Sequence, residues 1–196
     1  MRENGAAGNV VERRAPELRE ARRKVPEISR QHARVLLLAT FLLAVPLFHL
    51  GVPFLLAHVG PRWGWNGDYP GPLNFFGALP ILAGSVLLVW ILITMLAVVP
   101  SLPPRVRLSL RPTKLIQTGP YAWMRHPMYI AESCLWLGII VLFGSPVVAA
   151  VFTCLAAMAM RWIIPKEEKV LEEQFGEEYT TYRHHVPSLP KFRRRR

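Results

Sequence analysis

Between Met128 and Ile164 the chain carries only two charges, Glu132 and Arg161, across a stretch long enough to cross a bilayer and return. Polar clusters flank it, Arg125-His126-Pro127 before and Glu167-Glu168 after. A spanning helix needs ~20 apolar residues, and Gly144-Ser145-Pro146 breaks the stretch where a tight reversal would divide it into Met128–Phe143 and Val147–Ile164. A hairpin of this kind returns both polar clusters to one membrane face, where together they could hold a polar cofactor.

Two further apolar stretches precede it, Val35 to about Val59 and about Leu73 to Val99, so four spans are predicted. Charge distribution gives an independent count. Nine Lys/Arg against five acids precede the first span, and the segment from Ser101 to Pro127 holds Arg105, Arg107, Arg111, Lys114 and Arg125 without an acid. The Gly60–Pro72 linker carries only Arg62 and Asp68. By the positive-inside rule both termini and the chemical end face the cytoplasm, in an integral membrane protein expected in a bacterial inner membrane. The net charge of +11 accompanies 52% hydrophobic residues, and the basic residues flank spans instead of lining one soluble domain, which argues against nucleic-acid binding.

Pro46, Pro53 and Pro80 each remove a helical hydrogen bond. Pro46 and Pro53 leave two arrangements for the first stretch, one kinked helix or a re-entrant pair. Trp63, Trp65 and Tyr69 read as interfacial anchors, and His49 and His58 as packing residues of the first span with no metal-ligand spacing. Cys134 and Cys154 suit reduced, packed thiols. The charged N-terminal segment is expected to be disordered or loosely attached to anionic lipid, with a short surface helix over Glu17–Lys24 as the ordered alternative.

Chemistry concentrates in the C-terminal part. Pro127 suits the first turn of the third span, where its missing N–H costs little and neighbouring amides, with Arg125 and His126, could seat a carboxylate. An ordinary basic helix start explains the same residues. Pro165-Lys166-Glu167-Glu168 opens an amphipathic helix to about Phe175, with Leu171 and Phe175 covering the headgroup region; a capped surface helix is the alternative. A carboxylate here can accept both hydroxyl protons of a ribose, and Tyr179, Tyr182 and Arg183 could fold over an adenine ring. These are requirements of an S-adenosylmethionine site.

Gly119-Pro120-Tyr121, Arg125-His126-Pro127-Met128-Tyr129, then Glu167-Glu168, Leu171, Phe175-Gly176, Tyr179, Tyr182 and Val186-Pro187 together resemble the isoprenylcysteine carboxyl methyltransferase and phospholipid methyltransferase superfamily. The resemblance runs from roughly Leu115 to Phe192. It implies an all-α polytopic membrane enzyme with about four transmembrane helices, a C-terminal cytoplasmic cofactor-binding segment and S-adenosylmethionine as cofactor. Carried over, Arg125 and His126 organise the methionine carboxylate, Tyr121 and Tyr129 belong to the pocket, Glu167 or Glu168 holds the ribose, and Tyr179, Tyr182 and Arg183 close the lid. The chain then divides into a basic segment 1–33, two spans with their loops over 34–114, a methyltransferase core over 115–192 and a basic tail 193–196.

Arg125 and Glu132 are the candidate catalytic residues. Glu132 lies one to two turns into the membrane, so it should face the bundle interior, pair with an arginine or become protonated; it could bind a cationic headgroup or assist amine deprotonation, with a structural pair to Arg161 as the alternative. A carboxylate acceptor needs no general base near neutral pH, whereas an amine does. Ala131 stands where glycine is common in the family, leaving the pocket width open. The expected activity is methyl transfer to a hydrophobic or membrane-embedded acceptor, isoprenylcysteine-carboxyl-methyltransferase-like, with phospholipid N-methylation as the alternative. A sterol-type lipid reductase or a non-enzymatic lipid-binding module are the more distant readings.

Overall fold

The computed structural model describes residues 27–107 and 112–189. The Glu17–Lys24 helix, most of the 1–33 segment, Arg111, the end of the 115–192 segment and the 193–196 tail lie outside the described residues. A short strand β1 (Glu27–Ser29) leads into α1 (Arg30–Leu56); the ribbon β2 (Trp65–Asn66) and β3 (Tyr69–Pro70) follows. Next come α2 (Pro72–Ser101), β4 (Arg105–Arg107), α3 (Pro127–Phe143), α4 (Pro146–Phe175) and α5 (Glu177–His185).

The helices α1, α2 and α4 are long and apolar enough to cross a membrane, and α3 is a shorter apolar helix of 17 residues. Leu43, Leu47 and Leu82 are about two-thirds exposed on the outside of the bundle, as lipid-facing side chains are, and the protein is a helical, polytopic integral membrane protein.

The first stretch is one continuous helical rod with no re-entrant break. Each proline in it deprives a carbonyl of its partner, and the backbone widens into π turns at Thr40–Ala44 and Leu47–Gly51, on either side of Pro46. The fourth span and the amphipathic helix are likewise one rod, with a π turn at Ala159–Ile163 just before Pro165.

In lipid, helices associate through close packing, which small residues allow. The α2–α3 seam is of this kind: a β-carbon on Gly138 would lie 2.6 Å from the carbonyl oxygen of Gly77. Ala131 is fully buried in the same seam, among Phe41 and Ile91, so it sets the helix spacing and not the width of a pocket.

The reversal falls at Gly144-Ser145-Pro146 as expected. Gly144 caps α3 at φ 57°, a conformation that glycine adopts without strain, and the Ser145 hydroxyl accepts from Val148 N–H to start α4. The β2–β3 linker packs over this turn: Trp63 N–H donates to Gly144 O, and Asn74 Nδ2 donates to Trp63 O and Val141 O. Trp65 differs from the anchor reading. It stacks on Phe143 and donates through Nε1 to Leu142 O, whereas Trp63 and Tyr69 stay exposed. At the other end of the bundle β1 pairs antiparallel with β4, Ile28 opposite Val106, tying the last residues before α1 to the basic loop. Both cysteines are free thiols.

Candidate active site

The two polar clusters meet. Glu168 Oε1 accepts from Arg125 Nε at 3.1 Å and from its terminal nitrogen at 2.7 Å, and lies 3.0 Å from His126 Nε2. Pro127 occupies the first turn of α3, so Arg125 and His126 project from the segment just before it. Glu167 and Glu168 sit on the polar extension of α4 past Ile164, the last residue of its apolar stretch.

Arg125 does more than pair with an acid. Its other terminal nitrogen donates to the carbonyls of Arg183 and Val186, and its backbone N–H donates to Pro187 O. Glu168 also has Arg183 Nε 4.0 Å from its second oxygen. One guanidinium therefore fastens the start of α3 to α4 and to the end of α5. Burial alone would raise the Glu168 pKa; hydrogen bonds from His126 and Arg125, with their charge, hold it below the usual carboxylate value instead.

Behind this clamp, α5 packs Tyr179, Tyr182 and Val186 against Leu115, Leu171 and Phe175. Leu171 and Phe175 therefore join an interior cluster, where the sequence suggested headgroup cover. The Tyr182 hydroxyl donates to Tyr121 O at 2.7 Å, and burial pushes its pKa up to about 12, so it stays protonated. Tyr179 is fully enclosed, with its hydroxyl unpartnered among the described residues.

In front of the clamp lies a cavity of about 660 Å3. Of the residues singled out from sequence, Tyr121, Arg125, His126, Tyr129, Glu132 and Glu167 line it. Glu168, Tyr179, Tyr182 and Arg183 do not; they support its wall from behind, so the two tyrosines have no face available to an adenine ring in this arrangement. Glu167 is half-exposed, with its carboxylate 3.8 Å from His126 Nδ1. Pro127, Met128 and Leu171 of the sequence motif also line it, as do Trp162 and Lys166, which were given no site role from sequence although Lys166 belongs to the Pro-Lys-Glu-Glu run.

A second cavity, about 430 Å3 and almost wholly apolar, lies deeper among α1, α3 and α4, with Phe48, Trp136, Phe152 and Leu155 in its walls. Tyr129, Glu132 and Ile163 line both cavities, so the two adjoin at these residues. Glu132 meets neither Arg161, which is exposed, nor open lipid: its Oε1 is 3.3 Å from His49 Nε2. Sequence reasoning assigned His49 to packing. The signal available was an imidazole between two prolines in an apolar helix, four residues short of Pro53.

This cavity, polar through the charged side chains in its wall although most of its surface is apolar, suits S-adenosylmethionine. Its volume is within the ~300–1,000 Å3 of small-molecule sites. Glu167 would offer a half-exposed acceptor to sugar hydroxyls, Lys166 and the Nδ1 edge of His126, whose Nε2 is taken by Glu168, would offer nitrogen donors to a carboxylate, and Trp162 and Tyr121 would offer aromatic surface.

A polytopic membrane protein with a polar cavity at one face and an apolar one beneath it is thus the class defined by fold and site. The phospholipid methyltransferase family model matches residues 72–178, more than half of the chain, and the chain belongs to that family. Among curated proteins it is similar to the protein-S-isoprenylcysteine O-methyltransferase of Mus musculus, 34% identical over 74 residues, which are 38% of this chain and 26% of that protein. The Arabidopsis thaliana protein-S-isoprenylcysteine O-methyltransferase B is 35% identical over 75 residues, 38% of each chain. The Homo sapiens protein-S-isoprenylcysteine O-methyltransferase is 32% identical over 74 residues, 38% of this chain and 26% of that protein. The match spans between a quarter and two-fifths of these relatives' length.

Proposed function

We propose that this protein transfers a methyl group from S-adenosylmethionine to an acceptor whose apolar part is embedded in the membrane. The observation that carries this reading is the meeting of a polar cavity with an apolar one at Tyr129, Glu132 and Ile163. A water-soluble donor and a lipid-like acceptor would each occupy a compatible half, with their reacting ends brought together at the shared wall. Family membership and similarity to isoprenylcysteine O-methyltransferases support the same chemistry.

When bound, S-adenosylmethionine supplies an activated methyl group on a sulfonium. The residues supply orientation. Glu167 holds the ribose hydroxyls, His126 and Lys166 face the methionine carboxylate, Tyr121 and Tyr129 line the pocket, and Arg125 keeps the wall closed through Glu168 and the α5 carbonyls. Holding two reactants in line lowers a barrier by several kcal/mol without any change in bonding partners. The site faces the cytoplasm of an inner membrane, on the positive-inside distribution of the loops.

For the acceptor, the named relatives favour a carboxylate on an isoprenoid thioether. Glu132 favours the second reading, a phospholipid amine, because a carboxylate at the shared wall attracts a cationic head and repels an anionic one.

Binding of S-adenosylmethionine to protein in nanodiscs tests the donor half. Glu167→Ala and His126→Ala are each expected to weaken it about tenfold or more, or about 1.4 kcal/mol. Unchanged affinity in both would overturn the pocket. Labelled donor supplied with native lipid extract identifies the acceptor, base-labile ester indicating a carboxylate and stable methylamine an amine.

A further inference from the structure

Glu132 is held by a residue from outside the 72–178 family segment. His49 sits on α1 in the π turn Leu47–Gly51. Pro53 has no N–H to bond the carbonyl of His49 four residues earlier, and π turns are places where a helix re-aims a side chain. Here the imidazole points into the bundle, between Trp136 and Glu132 on α3.

The contact with Trp136 decides which imidazole nitrogen carries the proton. Trp136 Nε1 lies 3.0 Å from His49 Nδ1, and an indole N–H can only donate. Nδ1 is therefore the acceptor, the ring is neutral, and its single proton is on Nε2. That edge faces Glu132 Oε1 at 3.3 Å. Trp136 is itself fixed, 3% exposed and stacked on Phe152. A rigid indole on α3 thus sets the tautomer of a histidine on α1, and the histidine presents an N–H to a carboxylate one turn earlier on α3. Both ends of the contact are mostly enclosed, with His49 and Glu132 side chains 14% and 22% exposed.

We propose that His49 is a positioning residue for the acceptor: with Trp136 it anchors one oxygen of Glu132, leaving the other to receive a hydrogen-bond-donating head, an amine, that enters through the apolar cavity. The placement supports this, since His49, Trp136 and Glu132 all line that cavity and Glu132 alone of the three also lines the polar one. A carboxylate tethered on one side keeps its remaining lone pairs aimed in one direction, which a freely rotating side chain does not. The inference rests on the methyl-transfer reading for its purpose, but its geometry concerns acceptor binding alone.

Two measurements on full-length protein in nanodiscs test it. Nitrogen-15 spectra of histidine-labelled protein are expected to show His49 with unprotonated Nδ1 and protonated Nε2, and Trp136→Phe to mix the two tautomers. Displacement of a fluorescent fatty amine by hexadecylamine and by palmitate reads the head selectivity. The wild type is expected to prefer hexadecylamine by about tenfold or more. His49→Leu and Glu132→Gln lose the preference, and His49→Gln, which keeps an N–H near the Nε2 position, restores it. Equal binding of amine and palmitate by the wild type, an unaltered preference in His49→Leu, or the opposite tautomer would each overturn the proposal. Donor binding, measured in the same samples, separates the two failures: its loss in the wild type sinks the methyl-transfer reading, while its retention with unselective amine binding sinks this one.

Discussion

Glu168 gathers two cationic or donor side chains onto a single oxygen, so its ionisation is part of what holds the site together. Its folded pKa is depressed, and a depressed carboxylate stabilises the fold above its unfolded value, about 4.3, with the contribution lost as pH falls through the folded value. Glu168→Gln is therefore expected to lower unfolding stability at pH 7 by about 1.5–3 kcal/mol, from weakened charge-assisted hydrogen bonds. The deficit should begin to shrink as pH falls below the unfolded value and vanish only once pH has passed below the depressed folded value, where the wild-type group is also neutral. Denaturant unfolding in micelles followed by tryptophan fluorescence measures it, and a deficit independent of pH would contradict the assignment. Tyr182→Phe removes one neutral hydrogen bond to Tyr121 O and should cost about 1 kcal/mol by the same assay. At this scale the sequence indicated which residues belong together but not which face the cavity. Glu167 and Glu168 are adjacent, so on a helix they point about 100° apart, and only the packing of α5 decides which carboxylate is turned to the wall and which to the clamp. His49 was read as a packing residue because its partners lie 83 and 87 positions away, a separation no local pattern encodes.

Among the elements, the α2–α3 seam is where substitution should be felt most. Gly138→Leu places a large side chain against Gly77 O and Ile81, and overpacking of this kind costs about 1–3 kcal/mol. Leu82→Ala, on the outer surface of the same α2, should change stability by no more than about 0.5 kcal/mol. Thermal unfolding of both variants in one detergent tests the contrast; comparable losses would mean that α2 and α3 do not meet as described. The hairpin turn was legible because Gly144, Ser145 and Pro146 each carry a local preference for what they do. The continuity of α1 was one of the two arrangements its prolines left open, and the fusion of the fourth span with the amphipathic helix into one α4 was not legible. A proline read singly signals a break, whereas in a membrane the backbone keeps its hydrogen bonds by widening into π turns, and that outcome depends on neighbours the local sequence does not name.

For the molecule as a whole, a polytopic helical architecture and the shared end of Arg125, His126, Glu167 and Glu168 followed from hydropathy and one reversal, whereas of the four predicted spans three are helices long enough to cross a membrane and α3 is a shorter apolar helix of 17 residues. The second, apolar cavity did not, because it is made by three helices and Leu189, from the segment after α5, which approach only after folding. Ligand linkage offers a test at this scale. S-adenosylmethionine at about 100 times its Kd should stabilise the folded protein by about 2.7 kcal/mol, seen as a rise in Tm, and Glu167→Ala should require correspondingly more ligand for the same rise. A Tm indifferent to the donor at all concentrations would remove the proposed cofactor.

The bonds from Arg125 to Val186 and Pro187 reach 61 positions or more along the chain. During synthesis the helices α1 to α4 are therefore made before the residues that shut the wall of the polar cavity leave the ribosome. A chain in which α1 to α4 have emerged still lacks the carbonyls that Arg125 binds, so the wall can close only after α5 and the turn after it have been translated.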